Sequence, residues 1–313
     1  MQKISVFSKI GLTVLTLNLT LFNSQANAQE FSGFANDPGT IDSGIPGFVG
    51  SDGLGIVSDN NIVNPIFEAW ATGFINYLPA PGVDIQFQTP EKTLGPVTAV
   101  SVDIASLGEL TEQQITDGVS PGQITLTFDR AIINGDGADF AVFENGFGFA
   151  DTGNLFAELA YVEVSTNGID FIRFPSISRT ENPVDPIGVI DPTRVFNLAG
   201  KHVNNGVVVP DDFILNSWGT PFDLDVLSDF SLVQTGVVDL DNINFVRIVD
   251  IPGNGAFLDS ENRPIFDPFP TPPGPGGFDL EAIGIINGEP VPEPTSIVAI
   301  LVSVMLGFTR RRN

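Results

Sequence analysis

The stretch Gln123-Ile-Thr-Leu-Thr-Phe-Asp129 constrains this chain most. Ile124, Leu126 and Phe128 fall on alternate positions, the period of a half-buried strand. Similar β-rich runs follow at 139–144, 156–166, 169–174, 244–250 and 277–286, and Asn-Gly pairs close several of them, at 145–146, 167–168 and 287–288. Asn-Gly between two such runs is a strong hairpin signal, because both residues accept the positive φ of a tight turn. No long run with helical periodicity lies between 97 and 287, and no unit of 20–50 residues repeats. The pattern predicts an all-β fold: a single jelly-roll or β-sandwich domain with long irregular loops.

The domain is expected over 66–288, preceded by an irregular segment, 29–65, rich in Gly, Asp, Pro and Ser. Residues 175–221 and 252–277 read as its long loops, dense in Pro, Asn and Gly. Cysteine is absent, and His202 is the one histidine. No thiol nucleophile, thiolate zinc site or multi-histidine metal centre can be built from such a chain. No disulfide is needed either, because a domain of this length buries enough apolar surface without one.

The two ends differ from the body. Residues 1–28 carry Lys3 and Lys9, then an apolar stretch, then Ala26-Asn27-Ala28. This is the layout of a secretory signal peptide, with cleavage predicted after Ala28. Residues 297–313 hold an apolar run, 297–308, interrupted only by Ser303, and then Arg310, Arg311 and Arg312. As a helix the run would reach about 18 Å, short for a bilayer core of about 30 Å. Ahead of it, in the linker 289–296, stands Pro292-Glu293-Pro294. The tripeptide, the short C-terminal apolar helix and the terminal arginines, in that order, resemble the PEP-CTERM sorting signal. The resemblance implies recognition by an exosortase-type membrane peptidase and removal of the tail. It also implies delivery to the cell envelope, cell surface or extracellular matrix, with membrane contact only through the tail before processing.

Between residues 29 and 290 eight Lys and Arg face 37 Asp and Glu. Such a surface repels phosphate backbones, so nucleic acid is excluded as a partner. The pair Tyr161-Val-Glu-Val-Ser-Thr-Asn-Gly-Ile-Asp-Phe171 and Asn244-Phe-Val-Arg-Ile-Val-Asp250 resembles the discoidin-like, galactose-binding-like β-sandwiches. The order of strands also resembles surface proteins with PEP-CTERM tails and no assigned activity. The resemblance implies a fold and an address, not a ligand.

Four chemistries are open to these residue types. A Ser-His-Asp triad has only His202 for its base and no Gly-x-Ser-x-Gly elbow, so His202 reads as an exposed loop histidine. Paired carboxylates, drawn from Glu144, Glu158, Asp279 and Glu281, would suit a glycoside hydrolase if a pair flanked a cleft. The same carboxylates, with Asn145 and with Asp250 expected nearby, would suit calcium, which takes six to eight hard oxygen ligands. Carboxylates on strands amid apolar residues need a counter-charge, and basic residues are scarce. Carbohydrate binding would draw on Trp70, Tyr77, Phe147, Phe149 and above all Trp218, read as lying in a loop. The expectation is a secreted, non-catalytic surface or matrix protein associated with exopolysaccharide or another glycan, with calcium as its one candidate cofactor. A glycan-active hydrolase and a structural coat protein without a ligand are the alternatives.

Overall fold

The computed structural model describes residues 31–50, 55–58, 60–271 and 276–290. The expected signal peptide, the Pro-Glu-Pro motif and the apolar tail lie outside the described residues. Among the described residues no helix is long and apolar enough to cross a membrane.

The chain is mostly β, organised around two six-stranded antiparallel sheets. In one, Trp218–Phe222, Phe140–Glu144 and Asp279–Ile285 lie side by side, flanked by Ile45–Pro46 on one edge and Ala69–Trp70 on the other. Ala105–Ser106 also pairs with Asp279–Ile285. The other runs Ile172–Arg173, Ala160–Ser165, Ile243–Asp250, Gln123–Ile132 and Gly288–Pro290, with Gly73–Leu78 also on Gln123–Ile132. The Asn167-Gly168 turn makes the hairpin expected of it: Glu163 and Val164 pair with Arg173 and Ile172. Gly168 takes φ +73°, and Asn167 Oδ1 accepts from the backbone N–H of Ile169 and Asp170.

Alternation along the central strands sorts side chains into two cores rather than into core and solvent. Phe140 and Val142 enter the core shared by the two sheets, whereas Ala141 and Phe143 enter a separate cluster with Phe67, Val97 and Ala282. This is why Phe140–Glu144 and Asp279–Ile285 are buried along their whole length. Asp279–Ile285 contains a bulge: Leu280 pairs with Glu144 but Ala282 with Phe143, so one extra residue is inserted opposite Phe140–Glu144. Three rings knit the shared core. Phe140 stacks on Phe222 at 5.3 Å, and both meet Phe174 edge-on, at 5.9 and 5.0 Å.

Three expectations need correction. Residues 175–221 are not all loop: they contain the paired strands Ile177–Ser178 with Val195–Phe196 and Gly206–Val209 with Asp212–Ile214, and then Trp218–Phe222 within a main sheet. Residues 252–277 likewise hold a hairpin, Asn254–Leu258 with Pro264–Phe266. The expected linker from 289 begins inside a strand, because Gly288–Pro290 pairs with residues 130–132. Two short helices, Glu112–Thr116 and Ser231–Gln234, serve as connectors.

Phe140 has no exposed surface and links two of the ring contacts. Phe140→Ala is expected to lower unfolding free energy by about 3–5 kcal/mol, measured by urea titration, with Phe140→Leu costing clearly less.

Candidate functional site

Antiparallel pairing brings the ends of several strands to one edge of the two sheets. Phe140–Glu144 ends there with Glu144, Ile243–Asp250 ends there with Asp250, and Asp279–Ile285 starts there with Asp279. Asp250 pairs with Ala160, two residues beyond Glu158, and Asp279 pairs with Ser106, three residues before Glu109. Asp267 closes the group from the 252–277 excursion, where its carboxylate accepts from the backbone N–H of Leu159 at 2.8 Å. Six carboxylates thus gather at one edge. Five have 6 % or less of their surface exposed, and Glu109 is half-buried.

The donors that reach them are few and mostly backbone. Gly277 N–H donates to Glu158 Oε1 at 2.7 Å and Phe278 N–H to Asp250 Oδ1 at 2.8 Å, so residues 277–279 thread through the cluster. Gly146 N–H donates to Glu144 Oε2 at 2.9 Å. Asn145 Nδ2 donates to Asp279 Oδ2 at 3.3 Å, and Thr271 Oγ1 to Glu109 Oε2 at 3.2 Å. Asp250 Oδ2, Asp279 Oδ1 and Glu109 Oε1 are buried with no hydrogen-bond partner. Glu281, the residue inserted at the bulge, sits apart. It takes the backbone N–H of Thr98 and Ala99, both at 2.6 Å, together with Thr98 Oγ1 and Asn204 Nδ2.

Among the described residues none of these seven carboxylates forms an ion pair with Lys, Arg or His. Two other buried acids show what compensation looks like here. Glu163 lies between Arg173 and Arg247. Asp139 accepts from the N–H of Leu224 and Gly135 and from Asn287 Nδ2, at 2.8–2.9 Å. The cluster has neither solution. Burial pushes Glu144 and Glu158 well above the carboxylate range, and neighbouring Asp279 adds to both shifts. Burial also raises Asp267, Asp250 and Asp279. It raises Glu109 too, with Asp250 and Asp267 adding repulsion, and it takes Glu281 up to about 7.

Two openings lead in. A cleft of about 280 Å³ is walled by Phe87, Phe147 and Phe156, with Asn145, Glu158 and Asp279 among its polar lining. A second, of about 380 Å³, reaches Glu109 beside Pro270 and Val83. Both are bordered by Thr271 and Gly276. Among the described residues no trio of His, Cys, Asp or Glu side chains closes on a common point as a finished metal cage. A hard cation held here would draw on pairs of carboxylates completed by Asn145 Oδ1 and backbone carbonyls, the mixture calcium accepts.

Of the residues read from the sequence, Glu144, Asn145, Glu158 and Asp279 come together, with Asp250 as anticipated. Glu281 belongs to the neighbouring Thr98–Asn204 network, although Glu144 feels its charge. Glu109 and Asp267 were missed. They lie in connecting stretches without periodicity, and only the excess of acid over base hinted at partners for the strand-end carboxylates.

Two other expectations fail. Trp218 is not in a loop: it opens Trp218–Phe222, is 4 % exposed and packs into the second core, so it offers no ring to a ligand. His202 is not exposed either. Its Nε2 lies 2.9 Å from the carbonyl O of Asp42 and 3.4 Å from Ser32 Oγ, while the Asp42 carboxylate pairs with buried Lys201. Burial, with Lys201 beside it, holds the imidazole pKa well below its usual value. Ser32, the serine beside His202, is fully buried and donates to the Asp42 carbonyl, so it faces no cleft as a nucleophile.

The chain matches no protein-family model, no curated protein and no solved structure. Function must therefore be read from the site.

Carboxylates whose pKa is raised on folding hold protons that the unfolded chain has released. Their contribution to stability is intact below the ordinary carboxylate range and is lost as pH rises through the folded values. In EDTA, the unfolding free energy from urea titration should fall between about pH 5 and pH 8, a window that contains the Glu281 value near 7. A profile flat or rising across that window would contradict the uncompensated burial of the cluster.

Proposed function

We propose that this chain is an exported, non-enzymatic protein of the cell surface or matrix, a β-sandwich whose strand-end carboxylate cluster binds calcium. The observation that carries the calcium reading is the pair of buried oxygens Asp250 Oδ2 and Asp279 Oδ1. Among the described residues they have no hydrogen-bond partner and sit in a group of acids that forms no ion pair. An uncompensated buried charge is costly, so a cation or a proton must neutralise it. The proton solution fails as pH rises, and a hard divalent ion does not share that weakness.

Export and tail processing rest on the patterns at 1–28 and 292–312. Association with exopolysaccharide rests on the cleft beside the cluster, where Phe147 stacks on Phe156 at 5.3 Å and Asn145 supplies hydrogen-bonding capacity. Aromatic faces beside amides suit the CH-rich faces and hydroxyls of a sugar. One observation favours a second reading: Glu158 and Asp279 line that cleft with raised pKa values, as a general acid would. The second reading predicts glycan hydrolysis that Glu158→Gln abolishes.

Thermal melting in calcium, magnesium and EDTA tests the first reading. Calcium at a hundredfold over its dissociation constant adds about 2.7 kcal/mol, which raises Tm by roughly 5–10 °C in a domain of this size. Magnesium should do less, since it sheds water reluctantly and demands octahedral geometry. Asp250→Asn with Asp279→Asn should raise Tm in EDTA above neutral pH and remove the calcium increment. A melting curve indifferent to calcium would end the reading.

A further inference from the structure

The body is poor in basic residues, yet three of its eight, Arg179, Arg194 and Arg263, line one cleft of about 360 Å³. The local fold builds it. Ile177–Ser178 pairs with Val195–Phe196, and Arg179 N–H donates to the carbonyl of Arg194 at 2.9 Å, which sets those two residues side by side. Arg263 arrives from the Asn254–Leu258 and Pro264–Phe266 hairpin. Asp259 Oδ2 ties the two pieces together by accepting from Ser178 N–H at 2.9 Å and from Arg263 Nε at 3.1 Å.

Three buried polar atoms of this lining have no hydrogen-bond partner: Ser178 Oγ, Thr180 Oγ1 and Arg194 Nε. Each carries a hydrogen it can donate, and one of the groups is cationic. Carboxylates are present as well. Glu181 holds Arg194 at 2.7 Å, and Glu261 lies 2.6 Å from Arg263 Nη2 as an ion pair. These contacts, with Asp259 on Arg263 Nε, fix two guanidinium groups and leave the Arg194 Nε–H unused. Arg179 has no carboxylate partner among the described residues, and its guanidinium lies 5.1 Å from the ring centroid of Phe31. Unused donors beside a guanidinium with no carboxylate partner match the acceptor-only character of an oxyanion, for which arginine is the best-shaped partner. On a chain this acidic, long-range attraction cannot gather anions, so such a site must work by short-range geometry.

We infer that this cleft binds an oxyanion group carried by an acidic polysaccharide, such as the carboxylate of a uronic acid residue. Arg179, the Arg194 Nε–H and the hydroxyls of Ser178 and Thr180 would donate to it. The oxyanion site stands on these side chains alone. Its carrier rests on the glycan-associated reading above.

Calorimetric titration with glucuronate-containing oligosaccharides tests this, with the carboxyl-reduced neutral oligomer and inorganic sulfate as comparison ligands. EDTA is present throughout, so that no calcium bridge can imitate the site and the outcome is independent of the cation cluster. The charged oligomer should bind the wild-type protein and be displaced by sulfate. The neutral oligomer should not bind. Arg179→Ala and, separately, Thr180→Val should each weaken binding, the former at least tenfold, with melting curves that show both variants folded. If Arg179→Ala fails to fold, Thr180→Val decides. Sulfate binding without oligomer binding would keep the oxyanion site and overturn its polysaccharide carrier. No binding of either, equal binding of the neutral oligomer, or variants that bind like the wild type would overturn the site.

Discussion

Repulsion among carboxylates that the fold removes from water is the constraint around which this molecule is arranged. Glu144, Glu158, Asp250, Asp267 and Asp279 are all buried at one edge of two sheets, and among the described residues no basic side chain pairs with them. A hydrophobic core of this extent can carry such a cost. Strands are buried along their whole length because the two faces of Phe140–Glu144 feed separate cores. The same double burial makes the site. A strand end exposed on one face would let Glu144 reach water, whereas here the loops that cover the outer face seal it in.

The basic residues are spent elsewhere, in small compensated groups. Arg173 and Arg247 flank Glu163 and also lie 3.8 Å over the rings of Tyr161 and Phe171. Lys201 neutralises Asp42 in a buried pair that holds the 31–50 segment against the body, and burial lowers the Lys201 pKa to about 8. Three arginines converge on the 178–194 cleft. The chain has thus placed cations beside individual acids at several points and kept them from the one place where acids are densest. That distribution sets the buried cluster apart from an ordinary acidic surface.

Much of the fold was legible in the chain. The Asn167-Gly168 hairpin and the strands around Ile124, Val246 and Leu280 follow from alternation and turn chemistry, and strand ends placed Glu144, Glu158, Asp250 and Asp279 within reach of one another. Legibility failed where composition and tertiary position disagree. Trp218 and Pro221 lie in a stretch that reads as loop, because proline is depleted within sheets. Here Ile45–Pro46 covers only residues 218–219, so the Trp218–Phe222 strand has no neighbour on that flank at Pro221. His202 reads as exposed because nothing local announces that the 31–50 segment folds over it. Glu109 and Asp267 carry no pattern at all, since long-range pairing alone brings them to the cluster. The bulge after Leu280 is equally silent in sequence, yet it sets Glu281 apart from Asp279.

The short Gly288–Pro290 strand has a mechanical meaning. It lies on the flank of Gln123–Ile132, continuing the line of Gly73–Leu78, and Arg130 grips it by donating to the carbonyl of Gly288. Pro290 has no N–H with which to extend the ladder. Any tension applied to the chain beyond Pro290 therefore enters the body through three residues at a sheet edge. A pull along the strand would load its hydrogen bonds together, whereas a pull across it would open them one at a time. The direction of the pull would decide how much force this edge strand withstands.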